Sequence, residues 1–422
     1  MKKSAAGFKR TRFACYMSYF TNSSTFCVPP LLFVTFHEMY DISYTLLGTL
    51  VLANFCTQLT VDLIFSFFGK KWNVGRILVA MPLISTLGFV IYAGLPLLMP
   101  QNAFIGLLIG TFIFSVAAGL CEVLLSPTVA AIPSDNPGRD MSLLHSLFGI
   151  GVFSVVIFSA LFLRIFGTQN WNILMFILAA LPILSAVLFM ISPIPDMSGE
   201  SESEIKTEGS RKRTVGLFLC ILCIFFGSCA ENSMSIWLSS FMESALGIDK
   251  AIGDILGVAG FALLLGLVRI VYARYGKSIQ PMLLFGMIAA TVCYLVAGLA
   301  PGAIIPFIAC IMTGLVTSML WPGTLILMEE KIPSAGVAAF AIMAASGDFG
   351  AAAAPQLIGI VVDVTAASDL AARLSETLAL TPEQIGMRAA MLVTALFPFI
   401  GIFIVLTIMR FFKKENKNEA LS

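Results

Sequence analysis

Glu122 stands inside the apolar run GLCEVLLSPTVAA, and His145 inside the next run, LLHSLFGIG, with the polar turn IPSDNPGRDM between them. A charge in the middle of a hydrocarbon-spanning helix costs roughly 3 kcal/mol on insertion scales, so such a residue faces protein or water and marks a pathway. Removal from water favours the protonated carboxyl. A site that loads and releases protons near neutral pH requires this, and Glu122 is the expected proton-coupling residue; a packing acid held by hydrogen bonds is the alternative. His145 brings an imidazole, whose unperturbed pKa lies near neutrality. It is expected to pair with a carboxylate or, the plainer reading, to make a structural hydrogen bond to a neighbouring helix.

A second group lies in CAENSMSIWLSSFMES, where Glu231 and Asn232 are adjacent. A carboxylate beside a carboxamide both accepts from and donates to the hydroxyls of a polyol, so these two are expected at a solute, with Asn22 as their counterpart near the start of the chain. Trp237 and Trp321 offer flat faces for a sugar ring; the plainer reading is a helix interface or a headgroup belt. Asp62 and Arg269 each sit seven residues before the glycine of a basic inner loop, FGKK and YGKS. Opposite charges at matched depth read as a cytoplasmic gate, with Asp348 in SGDFG as a competing partner for Arg269. Each charge could instead snorkel or meet a helix terminus.

The elements that hold these residues are membrane helices. Of 422 residues, 12% are charged and 58% hydrophobic, against roughly 25% and 45–50% in soluble proteins. Runs long enough to cross a bilayer as helix fall near 12–37, 44–68, 75–99, 103–131, 142–166 and 170–194, then near 215–243, 250–273, 279–300, 303–328, 335–364 and 388–412. Between the two sets lies PDMSGESESEIKTEGSRKR, which is polar and aperiodic and reads as a solvated linker. The organisation is therefore 1–194 as one six-helix bundle, 195–214 as cytoplasmic linker, 215–412 as a second bundle and 413–422 as a tail. ASDLAARLSETLAL, before the last run, could form a short surface helix.

Charge sets the orientation. Arg164, Lys250, Arg373 and Arg388 fall on one side and Arg269 within a run, while the remaining 20 of the 25 Lys and Arg fall on the other side. By the positive-inside rule both termini are cytoplasmic, in a multi-pass protein of the cell membrane. The basic N-terminus is followed by no signal-peptide cleavage pattern. All nine cysteines lie in apolar runs and are expected to pack as small hydrophobes; Cys220 and Cys223 form a C-x-x-C without the strand and loop of a redox site. An embedded enzyme would need a nucleophile with its base, or a metal cluster, and there is neither H-E-x-x-H nor a second histidine within a span. No catalytic residue, metal or cofactor is expected. The net charge of +1 gives no hint of a nucleic-acid partner, and a monomer is expected.

The halves repeat. Sliding the second onto the first superposes GLVTSMLWP (314–322) on GLCEVLLSP (119–127), SGDFG (346–350) on HSLFG (145–149), Glu231 on Asn22 and YGKS (275–278) on FGKK (68–71). With this repeat, the 6+6 division and the R-Y-G-K at Arg274 to Lys277, the chain resembles the major facilitator superfamily, whose parallel six-helix repeats are related by an axis along the membrane normal. The resemblance implies an all-α membrane protein, with twelve transmembrane helices in two pseudo-symmetric bundles and a solute near mid-membrane between them. The superfamily's loop signature G-x-x-x-D-R-x-G-R-R is degenerate here: Asp62 replaces its first Gly and Ser66 its Asp, while Gly69, Lys70 and Lys71 survive. Within the superfamily, CEVLLSPTVAAI followed by LLHSLFGIG, together with CAENSMSIWLSSFMES, is similar to the fucose permease branch of sugar:proton symporters. Glu122 matches that branch's proton-binding acid in the fourth span, whereas the branch's first-span Asp is absent and Asn22 is the nearest polar residue. The resemblance implies a secondary active transporter that takes up a sugar or polyol with a proton by alternating access. Its rival is a proton-driven exporter of amphipathic compounds, which the 35 Phe and 20 Met would suit. Phosphate-ester exchange would want paired cations, and a sensor would bind without moving solute.

Overall fold

In hydrocarbon, every backbone N–H and C=O must find its partner within the protein, so long apolar runs close their hydrogen bonds as helices. The computed structural model describes residues 5–68, 72–133, 137–195, 211–275, 278–332 and 337–419; these are helical apart from short turns, and no strand occurs among them. Eleven helical stretches among the described residues are long and apolar enough to cross a membrane. The chain divides into two compact units, Met1–Ile42 with Ala53–Ser201 and Ser43–Leu52 with Glu202–Ser422. Most of the linker expected at 195–214 lies outside the described residues.

The first unit holds α1 (Lys9–Leu31), α2 (Phe33–Tyr40), most of α3 (Tyr44–Phe68), α4 (Val74–Leu98), α5 (Ala103–Ala130), α6 (Pro137–Phe166) and α7 (Trp171–Met190). α1 is not among the eleven apolar stretches, because its middle is the polar run Thr21–Thr25. That run is nonetheless buried, and Thr21, Ser23 and Thr25 donate to their own helix at the carbonyls of Ser18, Phe20 and Asn22. The expected first span is in fact two helices. Pro29 and Pro30 lack the N–H that continues the ladder, and the chain turns at Leu32 before α2 resumes. Within the unit, α4 packs on α5 and α7, and α1 on α6 and α7. The α4–α5 contact is backbone on backbone: a Cβ at Gly110 would lie 2.5 Å from Tyr92 Cα, and one at Gly88 2.5 Å from the Phe114 nitrogen.

The second unit holds α8 (Arg211–Ser240), running into a π-helical turn at Phe241–Ala245, and then α9 (Lys250–Ile252), a π turn at Gly253–Val258 and α10 (Ala259–Tyr275). α11 (Ile279–Leu299), α12 (Ile304–Thr317), α13 (Leu320–Lys331) and α14 (Val337–Ala366) follow. α15 (Asp369–Leu378) is the short helix read in ASDLAARLSETLAL, capped by Ser368. α16 (Pro382–Thr394) and α17 (Leu396–Glu419) complete the unit. The packing echoes the first unit: α8 lies on α14 as α1 lies on α6, and α11 on α12 and α17 as α4 lies on α5 and α7. The first turn of α3 belongs here because Asp363 of α14 accepts its unpaired N–H groups, from Tyr44 (3.1 Å) and Thr45 (2.6 Å). An acid at a helix N-terminus both satisfies those donors and meets the positive end of the dipole.

Candidate functional site

Three helices of the second unit converge on Arg269. Pro322 has no N–H, so the carbonyl four residues earlier, Ser318, loses its helical partner; the tenth span breaks there, between α12 and α13. Arg269 of α10 fills the vacancy by donating Nε–H to the Ser318 oxygen at 2.9 Å, and its Nη2 donates to Glu231 Oε1 of α8 at 2.9 Å. Glu231 and Ser318 both lie near the middle of their spans, Arg213–Ala245 and Ile304–Met328, so the guanidinium meets them at mid-span although the Arg269 Cα lies near the C-terminal end of its own span, Lys250–Tyr272. The Glu231 side chain is 14% exposed and that of Arg269 40%. The second oxygen of Glu231, Oε2, is buried without a hydrogen-bond partner. One residue on, Asn232 donates Nδ2–H to the Ser228 carbonyl (3.2 Å) and Oγ (3.1 Å), which leaves its own carbonyl oxygen as an acceptor. Ser228 in turn donates to the Gly347 carbonyl of α14 at 2.6 Å.

The ion partner of Arg269 is thus Glu231, in its own bundle. Asp348 is half-buried on α14 beside Gly347. Trp321 packs one edge so closely on that glycine that a Cβ there would come within 2.4 Å of the ring. Trp237 is fully buried, donates its indole N–H to the Pro355 carbonyl at 2.9 Å and meets the Tyr44 ring at 5.8 Å. The structure gives it the helix-interface place rather than an open face.

In the first unit, Glu122 is exposed on α5 although Cys121, Leu124 and Leu125 around it are buried. Asn22 is buried within α1, and Asp62 is half-buried on α3. His145 lies on α6, with its side chain outside the described residues, as are Gly69, Lys70 and Lys71 of the signature loop. A polar seam between α3 and α5 accompanies them: Gln58 Nε2 (3.0 Å) and Ser115 Oγ (2.6 Å) both donate to Asn54 Oδ1, all three buried. The seam continues by helical steps, from Asn54 and Gln58 to Asp62 on α3 and from Ser115 to Glu122 on α5. No cluster of three His, Cys, Asp or Glu that could hold a metal occurs among the described residues. All nine cysteines are free.

Sequence reading missed Ser318, Asn54, Gln58 and Ser115. The signal for Ser318 is Pro322 four residues on; for Asn54 and Gln58 it is their four-residue spacing ahead of Asp62, which places all three on one helix face. The proline makes a prediction: Pro322→Ala restores an N–H that reclaims the Ser318 carbonyl from Arg269. Half-saturation of solute exchange is expected to rise about 3- to 10-fold, the roughly 1 kcal/mol of one ordinary net hydrogen bond.

The sequence matches the family model of the Major Facilitator Superfamily over residues 12–355. No curated protein matches it. Among solved structures it is similar to a bacterial homologue of the human lysosomal transporter Spinster, with a TM-score of 0.75 and 14% identity, covering 96% of this chain and 98% of that one. It is also similar to a D-xylose-proton symporter (TM-score 0.71, 14% identity, 92% and 96% covered) and to the E. coli fucose:proton symporter (TM-score 0.54, 14% identity, 94% and 99% covered). Likeness at such identity is likeness of fold.

Proposed function

This chain belongs to the Major Facilitator Superfamily, and from that premise we propose that it moves a small polar solute, a sugar or related polyol, together with a proton across the cell membrane by alternating access, with both termini cytoplasmic. It is a multi-pass membrane transporter and not an enzyme. The observation that carries the solute reading is the polar group at mid-span in the second unit, where Arg269 bonds Glu231 and the next residue, Asn232, keeps an amide acceptor. In a hydrocarbon-spanning bundle such groups are retained for a polar ligand or an ion path. Glu122 is the proton site of this proposal: an acid exposed at the depth of a span cannot face acyl chains without cost, so it faces water. The polar seam of α3 and α5 gives the same unit a hydrogen-bonded row of side chains on the helix that carries this acid and on its neighbour. Two of the similar folds belong to a D-xylose-proton symporter and a fucose:proton symporter, which agrees with the solute class and the coupling ion.

The test is uptake by the purified protein in proteoliposomes. With an inward proton gradient imposed, labelled neutral sugars, polyols and their acids are supplied outside. Accumulation of at least one of them above its outside concentration, collapsed by a protonophore, is the expected result. Outward movement of an amphipathic cation under the same protein, with no sugar or polyol moving in either direction, would establish the exporter instead.

A further inference from the structure

Arg269 has one edge occupied and one open. Nε and the adjacent Nη2 are held by Ser318 and Glu231, which fixes the plane of the guanidinium. The end-on fork, Nη1 with the second N–H of Nη2, has no hydrogen-bond partner among the described residues, and the side chain is 40% exposed. A guanidinium open to that degree at the level of Glu231 and Ser318 faces water rather than hydrocarbon, because N–H groups left unbonded in hydrocarbon are costly. The two parallel N–H groups of an arginine fork match one planar carboxylate, in a geometry that neither hydroxyls nor a lysine reproduces. Asn232, next to Glu231 in α8, commits its amide nitrogen to Ser228, so its carbonyl oxygen is left to accept from a hydroxyl.

We infer that the solute carries a carboxylate bound end-on by Arg269, with hydroxyls reaching Asn232, so that the substrate class is a sugar acid, an aldonate or uronate, rather than a neutral sugar. This rests on the transport reading above and sharpens it at the same site. Neutral polyols satisfy Asn232 but leave the fork in water, and they gain only the weaker part of the interaction. Glu231 holds the fork in place without consuming it, as a positioning residue.

The experiment compares gluconate with sorbitol, galactonate with galactitol, and glucuronate with glucose, as pairs that differ at a single carbon. Binding to the purified full chain and counterflow in proteoliposomes are read for wild type, Arg269→Lys, Arg269→Gln and the double variant Glu231→Gln/Arg269→Gln. The double variant removes both charges together and leaves no stranded carboxylate if the single glutamine variant fails to fold. At least one acid is expected to bind roughly 30-fold tighter than its neutral parent in wild type, as a charge-assisted bidentate pair provides. That preference disappears in the double variant, and Arg269→Lys, which keeps the charge and loses the fork, falls between. Neutral parents that bind and exchange as well as the acids, or an acid preference that survives in the double variant, overturn the carboxylate assignment and leave sugar or polyol transport standing. If no member of either class binds or exchanges, both the assignment and the transport reading are overturned.

Discussion

Glu122→Gln is expected to leave the transporter folded and able to exchange solute across a proteoliposome membrane while abolishing accumulation driven by a proton gradient. The substitution preserves shape and hydrogen bonding while removing the group that takes a proton. Glu122 is exposed on α5 and the amide has the shape of the acid, so the effect on stability is expected within about 0.5 kcal/mol. With one proton coupled per solute, a gradient of about two pH units supports roughly 100-fold accumulation, since each unit is worth about 1.4 kcal/mol. In Glu122→Gln the ratio falls to about one, while counterflow, which needs only the loaded carrier to reorient, retains its rate within a few-fold. The measurement is steady-state solute concentration inside against outside, at matched protein density, with counterflow as the control on the same vesicles. Accumulation that persists in the variant moves coupling away from Glu122, and the buried, unpartnered Oε2 of Glu231 becomes the place to look. Loss of counterflow as well would make Glu122 part of solute binding or of the closed interface, not a proton carrier.

How far the sequence reaches is clear from individual residues. The helices were legible because hydrocarbon leaves the backbone no other choice, and even the small surface helix at Asp369–Leu378 could be read from its composition. The irregularities were legible only in part. Pro29–Pro30 turns the first span at Leu32, and Pro322 breaks the tenth, as prolines do; the consequence at Ser318 needed the three-dimensional question of which donor reaches the freed carbonyl. Arg269 shows how far a charge can lie from the residue number that carries it. Its Cα sits near the C-terminal end of its span, Lys250–Tyr272, but its long side chain carries the guanidinium to Glu231 in the middle of α8's span. Counting residues gives the height of a Cα and not that of a charge. Trp237 is the converse case: an aromatic residue near a polar cluster looks available, yet its indole N–H closes on the Pro355 carbonyl, an interaction that composition and spacing do not encode.

Lys250 is the residue that sequence reasoning placed furthest from its role, as one more cation of an outer loop, and removing it carries the largest expected cost to stability. Its Nζ lies 3.1 Å from Glu243 Oε2, 3.6 Å from Asp254 Oδ2 and 3.3 Å from Ser239 Oγ, and Ser239 donates in turn to Asp254 Oδ1. The Asp254 side chain is 1% exposed, so it has no access to bulk water. Both carboxylates ride on π-helical turns, Phe241–Ala245 and Gly253–Val258. Such a turn carries one residue more than an α turn and is kept in proteins where a side chain has to be re-aimed; here the two turns bring two acids onto one lysine between the seventh and eighth spans. Lys250→Met keeps the stem that packs there and deletes only the charge. Two carboxylates are then left together, one of them sealed from solvent, and removal of one partner from a buried pair costs about 3–5 kcal/mol. The melting temperature of the purified protein in detergent is expected to fall by about 10 °C, at 2–4 °C per kcal/mol for a unit of this size. Adding Asp254→Asn, which keeps the contact with Ser239 while removing the sealed charge, recovers most of that loss. A Lys250→Met protein that melts with wild type, or a double variant no better than the single, would show that the lysine trims the surface and that the packing of α8 on the π turn of the eighth span holds without it.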